Sequence, residues 1–216
     1  MLVSGKQKKA DMDWIKHPTE LIGQRVKLIP LDTSHLDQLS LLAKEKSIWE
    51  LNPFDTDGDN IEKLLRGLNQ SIESRKTGEH YPFAIVLSDN NKVIGTTRYW
   101  QINQEHRSLE IGGTWMHPDY WGTGLNTECK YLQLTHCFEI LKTVRVQIKA
   151  SEKNIRSRKA IEKIGAKLEG IFRKDKIYTD GTTRTAAYYS IIDDEWPEVK
   201  VRLETLLKDL PDIASR

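Results

Sequence analysis

Trp121-Gly122-Thr123-Gly124-Leu125-Asn126-Thr127-Glu128 stands between a strand-like run, Ser108 to Met116, and a long apolar run, Leu125 to Leu141. Glycine has no Cβ, so the backbone N–H groups around it can come close to a ligand. The first N–H groups of a helix have no internal partner, and the helix dipole adds partial positive charge there. Two glycines one residue apart at a strand-to-helix junction therefore suggest an anion cradle, with phosphate the natural occupant. The same residues also suit a plain turn with Thr123 as helix N-cap. A Walker loop is excluded, because no Gly-x-x-x-x-Gly-Lys-Ser/Thr occurs in the chain. A dinucleotide fingerprint fails as well. Its third glycine position is Thr127, and the strand before it carries Glu110 and Thr114 where a buried parallel strand would be aliphatic.

Outward from the cradle the pattern is mixed. Leu21 to Pro30 alternates as a half-buried strand, and Asp32 caps a helix with Leu36, Leu39, Leu42 and Ala43 at helical spacing, running toward Trp49. Asn52-Pro53 breaks it, and Asp55 to Asp59 reads as a solvated acidic loop, without the closing Glu of a calcium loop. Ile61, Leu64, Leu65, Leu68 and Ile72 form one stripe of a second helix. Tyr81 to Leu87 and Lys92 to Tyr99 form a hairpin around Asp89-Asn90-Asn91. A polar connection, Gln101 to Arg107, leads to the strand Ser108 to Met116, whose Gly112-Gly113 pair suggests a bulge. The helix from Thr123 to Leu141 is apolar nearly all round, as a centrally covered helix would be. Then follow a strand at Val144 to Ile148, a helix capped by Asn154 and stopped by Gly165, and strands at Lys167 to Arg173 and Thr185 to Ile192. Asp180-Gly181 turns the chain between those two, and a helix begins at Trp196-Pro197. Met1 to Glu20 is polar and basic and reads as a loose tail that Trp14 and Ile15 tack to the body; 21–210 reads as a single domain.

Composition narrows the classes. A chain of 216 residues can bury a sizeable single core. A net charge of +2 gives no argument for nucleic acid, and no apolar run approaches the ~20 residues of a membrane span. No leader-like apolar run follows the N-terminal lysines, so a cytoplasmic location is the default. Cys129 and Cys137 fall eight residues apart in one helix. That is ~12 Å at the helical rise, too far for a disulfide, and two buried thiols are expected. No Cys/His spacing suits a metal.

Glu110-Ile111-Gly112-Gly113-Thr114-Trp115-Met116-His117-Pro118-Asp119-Tyr120-Trp121-Gly122-Thr123-Gly124 resembles the core motif of the GNAT acyl-CoA N-acyltransferases. So do Arg145-Val146-Gln147-Ile148, Asn154-Ile155-Arg156-Ser157 and Ile164-Gly165-Ala166. Within that superfamily the chain looks most like the Rim group of ribosomal-protein N-terminal acetyltransferases, over about Leu21 to Trp196. The resemblance implies a mixed α/β fold, with a twisted, mostly antiparallel sheet of about seven strands, splayed in the middle and flanked by helices. It implies acetyl-CoA as co-substrate, no metal, and a primary amine as acceptor, either a protein N-terminus or a small molecule. Dimers are common in the Rim group, but no stretch specifies an interface.

The resemblance also distributes roles. The backbone of Trp121, Gly122, Thr123, Gly124, Leu125 and Asn126 would hold the pyrophosphate, and that of Trp115 and Met116 would line the pantetheine arm. Asn154 would contact the pantetheine, Arg158 or Lys159 the adenosine 3′-phosphate, and Ser157 the leaving thiolate. Glu110 is the candidate base, with Trp49 and Trp100 as further pocket walls. Some positions depart from the family pattern. Trp121 and Asn126 replace a Gln or Arg and a small residue, and Ile161 stands where many members have a tyrosine donor. Lys176 falls where some Rim-type enzymes have a carboxylate, and Glu110 precedes Trp115 by five residues rather than four. Trp121, Asn126, Ile161 and Lys176 keep open a rival reading, a CoA-binding sensor with little or no catalysis, and the sequence leaves open transfer of another acyl group such as succinyl.

Overall fold

The computed structural model describes residues 14–50, 61–178 and 181–210. The expected tail up to residue 13, the acidic loop at 55–59 and Asp180 of the expected turn lie outside the described residues. Among the described residues the elements are β1 (Leu21–Ile22), β2 (Val26–Pro30), α1 (Leu36–Leu42), α2 (Ile61–Ser74), β3 (Tyr81–Leu87), β4 (Val93–Asn103) and β5 (Ser108–Met116). After them come α3 (Leu125–Thr135), β6 (Arg145–Ser151), α4 (Ile155–Lys163), β7 (Lys167–Ile177), β8 (Thr183–Ile192) and α5 (Trp196–Lys208). One eight-stranded sheet runs β1-β2-β3-β4-β5-β6-β8-β7. Every neighbouring pair is antiparallel except β5 with β6.

Side chains along a strand alternate between faces, and β3 shows why its whole length is apolar. Tyr81, Phe83, Ile85 and Leu87 enter one core with α3 and α5, while Ala84 and Val86 enter a second core with α1 and α2. α3 packs against α5 and against β1 and β2, so it is covered on more than one side, as its apolar surface requires. Trp14 packs against the first core, where Ile15 is buried, and the Thr19 amide donates to the Tyr81 hydroxyl at 2.7 Å.

Two features of β5 position everything else. The first is a bulge. Thr96 lies opposite Trp115 and Arg98 opposite Gly112, so β5 spends one more residue than β4 over the same interval. Gly113 takes φ +59° there, in the left-handed region that glycine reaches without a Cβ penalty. The bulge reverses which face each side chain meets. Ile111 belongs to the α3 core, yet Trp115 belongs to the α2 core and Met116 to the α3 core. The second is a wedge. β5 and β6 pair only through Ser108, Leu109 and Glu110, with Arg145, Val146 and Gln147. Past that rung β5 stays paired with β4 and β6 with β8, and the two strands part. This is the splay expected from the sequence.

Several boundaries differ from expectation. Gly23–Arg25 splits the first strand in two, with the Gly23 amide donating to the Val26 carbonyl at 2.9 Å. α1 stops at Leu42, and Lys46–Ile48 is a short 3-10 turn on the way to Trp49. β4 runs on to Asn103, which pairs with Ser108, so the first three residues of the expected polar connection are strand and 104–107 form the turn. The long central helix starts at Leu125 rather than Thr123, and its last turn, His136–Ile140, widens into a π-helix.

Candidate active site

The cradle follows β5 directly. Gly122 and Gly124 have φ +74° and +87°, and Gly124, not Thr123, is the N-cap of α3. The Thr123 hydroxyl instead donates to the Tyr120 carbonyl at 2.7 Å, which bends the loop back beneath itself. A Cβ at Gly122 would meet nothing, whereas one at Gly124 would lie 2.3 Å from the Leu210 side chain. The Asn126 side-chain oxygen is buried without a partner among the described residues. Trp121 is only partly buried and its ring N–H donates to the Met116 carbonyl at 2.9 Å, fixing the cradle to the end of β5.

Across the wedge, β6 hands over to α4. The Asn154 carbonyl oxygen of the side chain accepts from the Ser157 amide at 3.0 Å, so Asn154 caps the helix as its residue type suggests. Ile161 is buried in the core, and Ser157, one turn earlier, lies on the same helix face, toward the sheet. The Arg156 guanidinium sits 3.6 Å from the centroid of the Trp121 ring and ties the start of α4 to the cradle. Arg158 points another way: its Nε donates to the Tyr189 hydroxyl at 2.9 Å, and Tyr189 donates on to Glu162 at 2.8 Å.

The α2 face of the sheet carries the rest. Glu110, on the last shared rung, is 1% exposed. Its carboxylate accepts from Gln147 Nε2 at 2.9 Å and pairs with Lys149 Nζ at 2.8 Å. Lys149 also lies over the Tyr188 ring at 4.5 Å. Beyond them a cavity of about 530 Å³ opens between α2 and the sheet. Thr96, Arg98, Gly113 and Trp115 line it from the sheet, Ser71 and Lys63 from α2. Arg98 Nη1 donates to Ser71 Oγ at 3.1 Å, and the guanidinium lies 4.7 Å from the Trp100 ring centroid. Burial lowers the Arg98 pKa to about 10, against the pull of Glu110, which leaves it cationic at neutral pH. Burial and the Arg98 charge also push His80 below its ordinary value, so its imidazole is held toward the neutral form.

The glycine pair is explained by these neighbours. A Cβ on Gly112 would lie 2.7 Å from Trp100 Nε1, and one on Gly113 would lie 2.4 Å from Arg98 Nε. The two glycines make room for two large side chains of β4.

The structure thus brings the cradle, the end of β5 and the start of α4 to the wedge, with Glu110 at its apex. Trp115 and Met116 turn their side chains into the two cores, so only their backbone can face the wedge. Trp49 is not a pocket wall. It is buried, donates to the Ala43 carbonyl at 2.8 Å and packs against Trp115. Ser71, His80, Arg98 and Lys149 carry polar chemistry that the sequence reading missed. The signal was the Thr96/Arg98/Trp100 alternation, a polar strand face under a helix. Among the described residues no group of three potential metal ligands occurs.

A lone pair of parallel strands that separates beside a glycine cradle, inside an otherwise antiparallel sheet, is the architecture of the acyl-CoA-dependent N-acyltransferases. The sequence agrees over most of its length: the chain belongs to the GNAT family, with residues 25–167 matching the acetyltransferase (GNAT) domain. It is 25% identical over 158 residues to YjcK of Bacillus subtilis (strain 168), described as a probable N-acetyltransferase. That match covers 72% of this chain and 87% of the relative. A GCN5-related N-acetyltransferase from Brucella melitensis has TM-score 0.81 and 25% identity, covering 93% of this chain and 91% of that one. Mycobacterium smegmatis RimJ, solved in complex with CoA-disulfide, shares the fold, with TM-score 0.74 and 21% identity over 88% of this chain and 95% of that one.

Proposed function

We propose that this N-acetyltransferase moves an acetyl group from acetyl-CoA to a primary amine, a protein N-terminus or a small molecule, by direct attack in a ternary complex. The observation that carries the reading is the β5/β6 wedge, bounded at one end by the Gly122/Gly124 cradle and on its far side by the α4 N-terminus. RimJ's complex with CoA-disulfide supports the donor assignment.

In this reading the α3 N-terminal amides hold the pyrophosphate, and the β5 edge that faces away from β4 lines the pantetheine and polarises the thioester carbonyl. Asn154 lies along the pantetheine, and Arg158 reaches the 3′-phosphate with the part of its guanidinium that Tyr189 leaves open. The neutral amine adds to the carbonyl carbon, a C–N bond forms, and the C–S bond breaks. The amine's extra proton passes through water to Glu110, and Ser157 donates a hydrogen bond to the departing thiolate. The two buried thiols take no part, because burial raises both, Cys129 to about 12. Residues 21–210 form one such domain, acting in the cytoplasm.

Calorimetric titration with CoA, acetyl-CoA, succinyl-CoA and ATP in parallel tests the donor. Micromolar binding of acetyl-CoA with ATP silent supports the reading. Preference for succinyl-CoA changes the acyl group. Binding without thiol release in the presence of any amine favours the sensor alternative, and no heat with any CoA species ends the transferase reading.

A further inference from the structure

β6 leaves β5 after Gln147, yet one of its side chains comes back. Lys149 lies two residues past the last shared rung and pairs with Tyr188 of β8. Its Nζ reaches across to the apex of the wedge and meets Glu110 Oε2 at 2.8 Å. The same oxygen accepts from Gln147 Nε2 at 2.9 Å. Among the described residues no bond reaches Oε1. That oxygen lies toward the bulge, 3.2 Å from where a Cβ on Gly112 would stand. The pair is nearly dry: the Glu110 side chain is 2% exposed and that of Lys149 12%. A carboxylate so buried is costly unless its lone pairs find partners. Here both donors fall on one oxygen, and the other stays an acceptor at the point where the two strands part.

We propose that Lys149 is a positioning residue for the transfer: it fixes the Glu110 carboxylate by one oxygen, so that the other faces the reacting amine. The inference rests on the transferase reading and deepens the part Glu110 plays in it. The residue type suits the task. An ammonium is a compact point charge that can hold one oxygen, whereas a guanidinium fork takes two. The Tyr188 ring, 4.5 Å from Nζ, steadies the lysine from the β8 side. Because the lysine grows from the strand across the gap, the ion pair also ties β6 to β5 just beyond their last rung. Once the amine has added to the thioester carbonyl, its nitrogen carries a proton far more acidic than that of a free ammonium. An ion-paired carboxylate still accepts it, through water at Oε1, while the C–S bond breaks and the thiolate leaves. Lys149 keeps its own proton throughout.

The test is a cycle of four proteins: the wild type, Lys149→Met, Glu110→Gln and the double variant. Each is assayed with acetyl-CoA and whichever of spermidine, an amino-acid panel and short N-terminal peptides the wild type acetylates. Thiol release gives kcat and KM, and urea midpoints give stability. Lys149→Met should lower kcat by about tenfold to a hundredfold, part of what a general base contributes, with KM for acetyl-CoA nearly unchanged. In the Glu110→Gln background it should cost nothing further, because it acts only through that carboxylate. The double variant should also be more stable than Lys149→Met alone, which strands the buried charge. Lys149→Arg keeps the charge and covers the case in which Lys149→Met does not fold. It should hold the urea midpoint and still be slow, since its fork closes Oε1. An equal loss in both backgrounds, a raised KM with kcat kept, or full turnover in Lys149→Arg overturns the proposal and leaves the transferase reading standing. A wild-type protein that releases no thiol with any of these amines sinks the transferase reading, and the positioning role with it.

Discussion

The guanidinium of Arg156 rests 3.6 Å from the centroid of the Trp121 ring, joining the first residue of α4's basic run to the first residue of the cradle. The family pattern puts a Gln or Arg at the position of Trp121. Here the cation comes from across the wedge, carried on an aromatic platform. Arg156→Ala should therefore raise the Kd for CoA by about tenfold, a loss typical of one charge-assisted contact, and Arg156→Lys should fall between. Calorimetry with CoA at two salt concentrations checks it. An unchanged Kd would reduce the stack to packing.

Gly113→Ala should destabilise the fold by about 1–3 kcal/mol, since a side chain at φ +59° is strained and must also displace Arg98. Arg98→Ala removes the obstacle but not the strain. The double variant should thus lose less stability than the two single losses added together. Urea midpoints for the four proteins give the coupling, and strict additivity would mean that the guanidinium does not press on the bulge.

Lys130 adds a contribution to stability that grows with pH in an alkaline window, opposed above the ordinary thiol pKa by the raised Cys129 and Cys137, so it is read by comparison with a Lys130 variant. Its Nζ is buried and bonded to Thr114 Oγ1 at 2.9 Å and Gln133 Oε1 at 3.0 Å, and burial lowers its pKa from 10.5 to about 8. Between those values Lys130 holds its proton more fully in the unfolded chain than in the folded one, so at this residue raising pH favours folding. The integrated effect is of order 3 kcal/mol, and Lys130→Met should flatten that limb of the stability–pH curve. His136 acts the same way on the acid side. Burial lowers it from 6.5 to about 4, so stability falls as pH drops through that interval. His136→Phe should lessen the loss.

Ser157→Ala should lower kcat by about tenfold to a hundredfold with CoA affinity nearly unchanged, as expected for a contact made with the leaving group. Wild-type turnover would remove Ser157 from the chemistry. Glu110→Gln should change the basic limb of the pH–rate profile if Glu110 relays the amine's proton. His80, a neutral imidazole that lines the cavity, is the contrast: a profile changed by His80→Gln and not by Glu110→Gln would transfer the role to it.

The parts legible in the sequence are those where periodicity and burial agree. β3 and β5 have the expected bounds because their apolar alternation is set by two covered faces. The bulge was readable from Gly112-Gly113, although its reason was not: the glycines answer to Trp100 and Arg98, and nothing local in β5 announces two side chains of another strand. The expected end of β4 at Tyr99 falls short because Gln101 and Asn103 are polar, yet they extend an exposed ladder where polarity is no obstacle. The cavity escaped for a similar reason. Its cations come from α2, β4 and β7, and only the sheet order brings them together. The N-cap at Gly124 depends on a positive φ, which the alternative at Thr123 hid.

Because Thr97 of β4 faces two residues of β5, the strand's length is part of its code. Substitutions in β5 change one contact at a time. Losing or gaining a single residue between Gly112 and Trp115 would instead exchange the destinations of Trp115 and Met116, sending each into the core shaped for the other. This segment should therefore accept point changes in a mutational library and reject one-residue insertions and deletions, while the turn at Asn90–Asn91 accepts both.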